Sequence, residues 1–132
     1  MPSLVGSEMC IRDSILKNAL DAMASLGAKA QSVHAAIGPS IGRCCFETDD
    51  DVPQAIERYL SGDTDGLFDR RPGGKTMVDL RAANARRLIQ LGVLPENIDI
   101  SDECTYCRHD KYWSHRYTHG QRGSQAALII LD

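Results

Sequence analysis

The chain has 132 residues, the length of one typical domain of roughly 100–150 residues and too short for two. Its 15 Lys and Arg residues are outnumbered by 18 Asp and Glu residues, and the net charge of −3 offers no basic field for a nucleic-acid backbone. No run approaches the roughly 18 apolar residues that a membrane span requires. We therefore expect a globular domain with neither a nucleic-acid nor a membrane partner.

Cysteine usage indicates the compartment. Five cysteines make an odd count, and the first 14 residues lack the apolar region of a secretory signal peptide. A disulfide framework is therefore a poor explanation of these residues, because such frameworks belong to oxidising compartments. We expect a cytoplasmic protein with reduced thiols.

The first half of the chain predicts a helix followed by a strand. Apolar residues recur at helical spacing from Ser14 to Leu26, and Gly27 ends the pattern. Val33–Ile37 is a short apolar run of the kind found in buried strands. The loop Gly38–Gly42, which begins and ends with glycine, follows it directly. We therefore expect this loop to lie at an edge of the sheet, where the strand ends.

The middle of the chain predicts two more helices and a strand. One amphipathic helix covers Val52–Leu60, and a second covers Asp79–Leu91 with Arg81 on its outward face. The glycine- and proline-rich stretch between them, Ser61–Lys75, predicts a surface loop. Ile98–Ile100 then predicts a strand.

The C-terminal segment has the pattern of β-structure. Lys111–Thr118 alternates aromatic and polar residues, and Ala126–Leu131 is a continuous apolar run suited to a central strand. The predicted order is helix, strand, helix, helix, strand, strand, strand. This order indicates an α/β (α+β layered) single domain with a mixed β-sheet.

A first candidate site combines thiols and imidazoles. Cys104 and Cys107 have the C-x2-C spacing of a zinc half-site, and His109, His115 and His119 follow. One interpretation is a small zinc-binding structural or interaction module that uses Cys104, Cys107, His109 and His119. The alternative is two buried or half-buried cysteines and a set of exposed histidines, because a strand spreads alternate residues too far apart to guarantee a compact site.

A second candidate is the adjacent pair Cys44 and Cys45, placed after a tight turn where a thiol could act as a nucleophile. Neighbouring residues of a strand point to opposite faces, and the nearby His34 lies on the preceding strand, so no base is assigned. The pair is therefore a weak catalytic candidate.

The loop Gly38–Gly42 is suited to close backbone approach to a small ligand, although it lacks the spacing of a nucleotide-binding fingerprint. An ordinary strand-to-loop turn is the equal alternative. Arg116, Arg122 and Lys75 could pair with phosphate or carboxylate, and solvated surface charge is the simpler explanation of each alone.

Four segments in order resemble one known family. They are Ala35-Ala-Ile-Gly-Pro-Ser-Ile-Gly-Arg-Cys-Cys-Phe-Glu47, Val78-Asp-Leu-Arg-Ala-Ala-Asn84, Glu103-Cys-Thr105, and Tyr112-Trp-Ser-His-Arg116 closing on Ala126-Ala-Leu-Ile-Ile-Leu131. Together they resemble the C-terminal half of the YfiH-type laccase-domain family. The resemblance implies a zinc-dependent purine nucleoside phosphorylase with methylthioadenosine phosphorylase and adenosine deaminase activities, whose partners are purine nucleosides and phosphate. The family's older name, polyphenol oxidase, implies copper.

The resemblance also implies where ligands bind. Gly38, Pro39, Ser40 and Gly42 match a loop beside the family's cleft, and Arg116 matches an arginine of its Phe-Ser-Tyr-Arg-Arg segment. The family's zinc ligands, two histidines and a cysteine, precede the matched region, so the resemblance assigns no metal ligand and no catalytic residue to this chain. We therefore expect the chain to be inactive on its own.

The first residues lack a counterpart in the family. Leu4–Ser14 resembles the translation of a sequencing-adapter read-through and stands where the family has a His-Ala-Gly-Trp-Arg-Gly segment. We expect residues 1–13 to be a non-native leader that includes Cys10, and residues 14–132 to be the C-terminal part of an N-terminally truncated laccase domain whose missing N-terminal half would be its partner.

Overall fold

The structure is a computed structural model that describes residues 15–112 and residue 114. Within these residues there are three α-helices: α1 (Ile15–Ser25), α2 (Asp51–Tyr59) and α3 (Leu80–Gln90). Five short strands accompany them: β1 (Ala35–Ile37), β2 (Glu47–Thr48), β3 (Phe68–Arg70), β4 (Thr76–Val78) and β5 (Ile98–Ile100). Single turns of 3-10 helix lie at Ala30–Ser32, Pro72–Gly74 and Pro95–Asn97.

The strands form two sheets. β1 and β5 pair in parallel, with Ala35 opposite Ile98 and Ile37 opposite Ile100. The other sheet is antiparallel, with β4 between β2 and β3. The predicted mixture of helices with parallel and antiparallel strands is confirmed, and within the described part of the chain the two kinds of pairing occupy separate sheets.

The core lies between the antiparallel sheet and helices α2 and α3. It is a cluster of buried apolar side chains from both helices and from the strands and loops between them: Phe46, Ile56, Leu60, Leu67, Val78, Leu80 and Ala83. Helix α3 starts where Asp79 accepts a hydrogen bond from the Ala82 amide at 3.0 Å, which satisfies one of the free N–H groups of the first turn. The core therefore fixes the position of α3, which carries a residue of the candidate site.

Helix α1 contributes little to this core. None of its residues is buried, and Ile15 and Met23 are 49% and 41% exposed although their spacing is that of an apolar face. The predicted helix is confirmed, and its apolar face is left uncovered by the described residues. No helix among residues 15–112 has the length and apolar character needed to cross a membrane.

Several sequence predictions need correction. The prediction of a loop over Ser61–Lys75 is wrong in part, because β3 lies within it and Phe68 pairs with Val78 across the antiparallel sheet. Strands β2 and β4 are also missing from the prediction, because Glu-Thr and Thr-Met-Val lack both the apolar run of β1 and the apolar–polar alternation of β5. Lys111 and Tyr112 lie in a turn and not in the predicted strand. Ser114 is buried and lies outside any strand, and the remaining residues predicted as C-terminal strands, 113, 115–118 and 126–131, lie outside the described part.

Candidate metal centre

The candidate site lies at the carboxyl end of the parallel sheet. The chain leaves β1 through Gly38–Gly42 and leaves β5 toward Cys104, and the two exits run side by side. Ser40 and Cys104 form an isolated parallel bridge, and the Thr105 amide donates to the Ser40 carbonyl at 3.1 Å. Two segments about 60 residues apart in sequence are thereby brought together at the sheet edge where parallel α/β folds place their ligands.

A tight turn directs the two adjacent cysteines to the same place. The Gly42 carbonyl accepts hydrogen bonds from the amides of Cys45, at 3.0 Å, and Phe46, at 2.9 Å. Residues 43–45 are therefore in a turn, and the expectation that neighbouring cysteines point to opposite faces is wrong, because it holds only for an extended strand. The core residue Phe46 holds the end of this turn in place.

Four cysteines meet at this point. The sulfur atoms of Cys44, Cys45, Cys104 and Cys107 all lie within 4.8 Å of one another. The Cys107 sulfur is 3.6 Å from that of Cys44 and 3.4 Å from that of Cys45, and all four thiols are free. Cys104 is buried, whereas Cys44 and Cys107 are exposed, so the cluster is open to solvent on one side. The group could hold a metal ion.

Hydrogen bonds from backbone amides lower the pKa of the Cys104 thiol. Burial raises the pKa of its thiol, but hydrogen bonds from the backbone amides of Cys107, Gly42 and Tyr106 outweigh burial and lower the pKa to about 7. The Gly42 amide donates to the Cys104 sulfur at 3.2 Å. These amides face the sulfur as they would face a thiolate, which is the form that binds metals.

The pKa values of Cys44 and Cys45 shift in the opposite direction to that of Cys104. Burial and contact with Cys107 raise the pKa of both Cys44 and Cys45. Several thiolates so close together repel one another, so a second negative charge is unfavourable without a cation among them. A bound cation would remove that repulsion.

Arg81 supplies a positive charge beside the cluster. Its Nη1 donates to the Glu103 carbonyl at 3.1 Å and also to the Ser101 carbonyl. A Cβ atom added at Gly42 would lie 2.8 Å from the Arg81 Nη2 and 3.4 Å from the Cys44 sulfur. The prediction that Arg81 faces outward is therefore wrong: it is half-buried and joins helix α3 to the candidate site.

The structure brings together only part of the predicted zinc-module ligand set. Cys104 and Cys107 do meet, but their partners are Cys44 and Cys45. His109 does not belong to the group, and His115 and His119 lie outside the described residues. The partnership of two segments distant in sequence leaves no spacing signal, which is why sequence reasoning missed it.

The predicted substrate loop lies next to the cysteines. Gly42 is buried, Pro39 and Ser40 are half-buried, and Gly38 is exposed. The Ser40 hydroxyl is buried and finds no hydrogen-bond partner among the described residues. Lys75, a candidate anion-binding residue, is instead paired with Asp49 at 2.5 Å, and Arg116 and Arg122 lie outside the described part.

Comparison with known proteins places the chain in a family. The family described as "Multi-copper polyphenol oxidoreductase laccase" matches residues 9–132. The chain therefore belongs to this family, and the resemblance found in the sequence is confirmed.

Relatives within the family carry purine-related names. The chain is 36% identical over 102 residues to a protein named adenosine deaminase RL5, from an unknown prokaryotic organism, covering 77% of this chain and 39% of that protein. It is 33% identical over 97 residues to purine nucleoside phosphorylase YlmD of Geobacillus stearothermophilus, covering 74% of this chain and 35% of the relative. The chain thus spans less than half the length of these relatives.

Solved structures agree with the fold. The crystal structure of the Bacillus licheniformis hypothetical protein YfiH superposes with a TM-score of 0.74 at 28% identity, covering 80% of this chain and 40% of that one. The Neisseria meningitidis protein NMB0706 superposes with a TM-score of 0.70 at 24% identity. The arrangement of helices and sheets described above is therefore that of part of a YfiH-like domain.

Proposed function

We propose that this chain is part of an enzyme that acts on purine nucleosides, either by phosphorolysis or by deamination of adenosine. The observation that carries the proposal is the family match over residues 9–132, together with relatives named for these two activities. In phosphorolysis, a phosphate oxygen attacks the ribose C1′ and the purine base leaves. In deamination, water adds to the adenine ring and ammonia leaves.

The contribution of this chain to such a site is the loop Gly38–Gly42, with Arg116 as the further residue implied by the family. The loop leaves the carboxyl end of a parallel strand, where ligands of α/β folds bind. The Ser40 hydroxyl in this loop is buried and has no hydrogen-bond partner among the described residues, so its hydrogen-bonding capacity is unused. These features support a role in binding substrate.

The zinc ion implied by the family does not fit the residues described here. The ligands that the resemblance implies are two histidines and a cysteine from before the resembling segments, whereas the group of possible metal ligands within residues 15–112 consists of four cysteines without a histidine. Four thiolates close a tetrahedral site and leave no position for water or phosphate. We therefore derive no step of the reaction through this cluster. The free thiols support a reducing, cytoplasmic location.

The experiment is an activity assay on two proteins: the 132-residue chain, and the same chain joined to the segment of the Geobacillus relative that precedes the matched region. Inosine with and without phosphate reports phosphorolysis, and ammonia release from adenosine reports deamination. We expect activity in the joined protein and little in the chain alone. A well-folded joined protein without either activity would contradict the proposal.

A further inference from the structure

We propose that Cys44, Cys45, Cys104 and Cys107 form a structural Zn²⁺ site that fastens the Gly38–Gly42 loop to the turn after β5. Its four ligands are thiolates from the two segments that meet at the carboxyl end of the parallel sheet. Because four thiolates leave no position for water or phosphate, this site is separate from any catalytic metal. Its function is to hold that loop in one position.

The geometry matches the ion. Zinc binds cysteine sulfur at about 2.3 Å in a tetrahedron, which sets the sulfur–sulfur separation at about 3.8 Å. The two sulfur–sulfur distances to Cys107 are 3.4 and 3.6 Å, and every pair in the group lies within 4.8 Å. Binding therefore requires adjustments of a few tenths of an ångström at the two Cys107 pairs and of at most about 1 Å where a pair is longer.

The donor set selects the metal. A tetrahedral group of four sulfur ligands is typical of zinc or of an iron site, whereas hard cations such as Mg²⁺ require oxygen ligands. Cys104 and Cys107 have the C-x2-C spacing of zinc half-sites, and the turn after Gly42 supplies the other two ligands. The site is thus complete without a fifth ligand, as structural zinc sites are.

The surroundings balance the charge. Four Zn–S bonds form while four S–H protons pass to solvent, and no atom is oxidised or reduced, so the complex carries a net charge of about −2. Arg81 and the backbone amide of Gly42 face this charge from one side. Hydrogen bonds from amides to metal-bound sulfur, with a nearby cation, are the outer interactions that stabilise such sites.

The consequence of binding is mechanical. In the described structure, the two segments are joined by the Ser40–Cys104 bridge and by single hydrogen bonds such as that from Thr105 to Ser40. A zinc ion adds four bonds between them and closes a loop of about 60 residues. Zinc should therefore slow hydrogen exchange at the amides of Gly42 and Thr105.

The test uses the reduced, metal-free 132-residue chain titrated with Zn²⁺ and, separately, with Co²⁺. We expect one tightly held ion per chain, a cobalt spectrum of tetrahedral thiolate coordination, and slower exchange at the Gly42 and Thr105 amides. Purified protein should contain zinc, and Cys10→Ser, the matched control, should bind like the parent chain. Iron as the resident metal, the absence of tight binding, or loss of binding in the control would each overturn the proposal.

Two variants separate loss of a ligand from loss of the fold. Cys104→Ser removes the buried ligand and should abolish tight binding. Cys107→His replaces an exposed ligand by another that zinc accepts, so it should retain one ion with a weaker sulfur-to-cobalt absorption band. Zinc affinity unchanged in Cys104→Ser, or a cobalt band of unchanged intensity in Cys107→His, would exclude these residues as ligands.

Discussion

The amide of Gly42 donates a hydrogen bond to the sulfur of Cys104 at 3.2 Å, across 62 residues of sequence. This contact joins the loop after β1 to the turn after β5, and it places a backbone dipole against the buried thiol of the cysteine cluster. Gly42 is itself surrounded by the Arg81 guanidinium, the Cys104 Cβ and the Cys44 sulfur. Gly42 therefore connects the Gly38–Gly42 loop to Arg81 of α3 and to the proposed zinc site.

Gly42→Ala should weaken zinc binding. An added Cβ would lie 2.8 Å from the Arg81 Nη2 and 3.3 Å from the Cys104 Cβ, so the arginine and the cysteine turn must both give way. We expect a loss of about tenfold in zinc affinity, the lower end of the effect of disturbing groups around metal ligands. Competition with a chromophoric chelator measures it.

Gly38→Ala is the matched control for this substitution. Gly38 belongs to the same loop, and a Cβ there meets no atom within 4 Å among the described residues. Its zinc affinity should equal that of the parent chain. Equal weakening in both variants would mean that general loosening of the loop, and not crowding at Gly42, determines the affinity.

Arg81→Gln should lower both stability and zinc affinity. The guanidinium holds the carbonyls of Ser101 and Glu103 and provides the positive charge beside the cysteines. Loss of charged hydrogen bonds in a half-buried position costs about 1.5–3 kcal/mol. Loss of the outer charge should reduce zinc affinity roughly 10–100-fold. Urea unfolding of the metal-free chain and chelator competition measure the two effects separately.

Arg86→Gln provides the comparison. Arg86 lies on the same helix and also donates to two backbone carbonyls, those of Asp63 and Asp65. This loop meets the cysteine turn where Arg43 donates to the Gly66 carbonyl, but the hydrogen bonds described for Arg86 go to no residue of that turn. We expect some loss of stability with unchanged zinc affinity. If Arg86→Gln weakened zinc binding as much as Arg81→Gln, the charge beside the cluster would not be the cause.

Sequence patterns predicted the helices well because each carries a repeating apolar face over 9 or more residues. They predicted β1 and β5 from short apolar runs. Strands β2 and β4 could not be predicted, because Glu-Thr and Thr-Met-Val show neither an apolar run nor alternation, and their pairing depends on contacts between distant segments. The order of elements was therefore incomplete in the middle of the chain.

The candidate site divides in the same way. The C-x2-C spacing marked Cys104 and Cys107 because both ligands lie within one turn. The sequence shows Cys44 and Cys45 as a pair but predicts opposite faces for them, because nothing in it distinguishes a strand from the turn made by the Gly42 carbonyl. Helical periodicity predicts an outward face for Arg81, because it assigns a side chain to a face of the helix but does not show which loop packs against that face.

Ile56→Ala should destabilise the domain strongly. Ile56 has 0% exposure and packs in the core cluster, so truncation leaves a cavity that the surrounding side chains fill only partly. We expect a loss of about 2–5 kcal/mol in the free energy of unfolding. Leu26→Ala removes a similar side chain that is 88% exposed and should change stability by less than about 0.5 kcal/mol. Urea unfolding followed by circular dichroism compares them, and similar losses would contradict the assigned core.

The ion pair of Asp50 and Arg70 should appear in the titration of the Asp50 carboxyl group. A hydrogen bond from Arg70 at 2.9 Å, together with one from Gln54 at 2.8 Å, lowers the pKa of this carboxyl below its ordinary value. The folded state therefore favours the charged form. The corresponding stabilisation is present above the unfolded pKa of about 3.9 and is lost as the pH falls through the lower folded value.

Carbon-detected NMR titration of Asp50 measures this pKa directly. Arg70→Gln should raise the pKa toward the ordinary value, because it removes the hydrogen bond from Arg70, the largest cause of the shift. Arg71→Gln is the control, since the neighbouring arginine pairs with Asp69 at 3.2 Å and should leave Asp50 unchanged. The pair is exposed and screened by salt, so the difference between the variants should shrink as ionic strength rises. A pKa of Asp50 that does not respond to Arg70→Gln would place the cause elsewhere in the loop between β2 and α2.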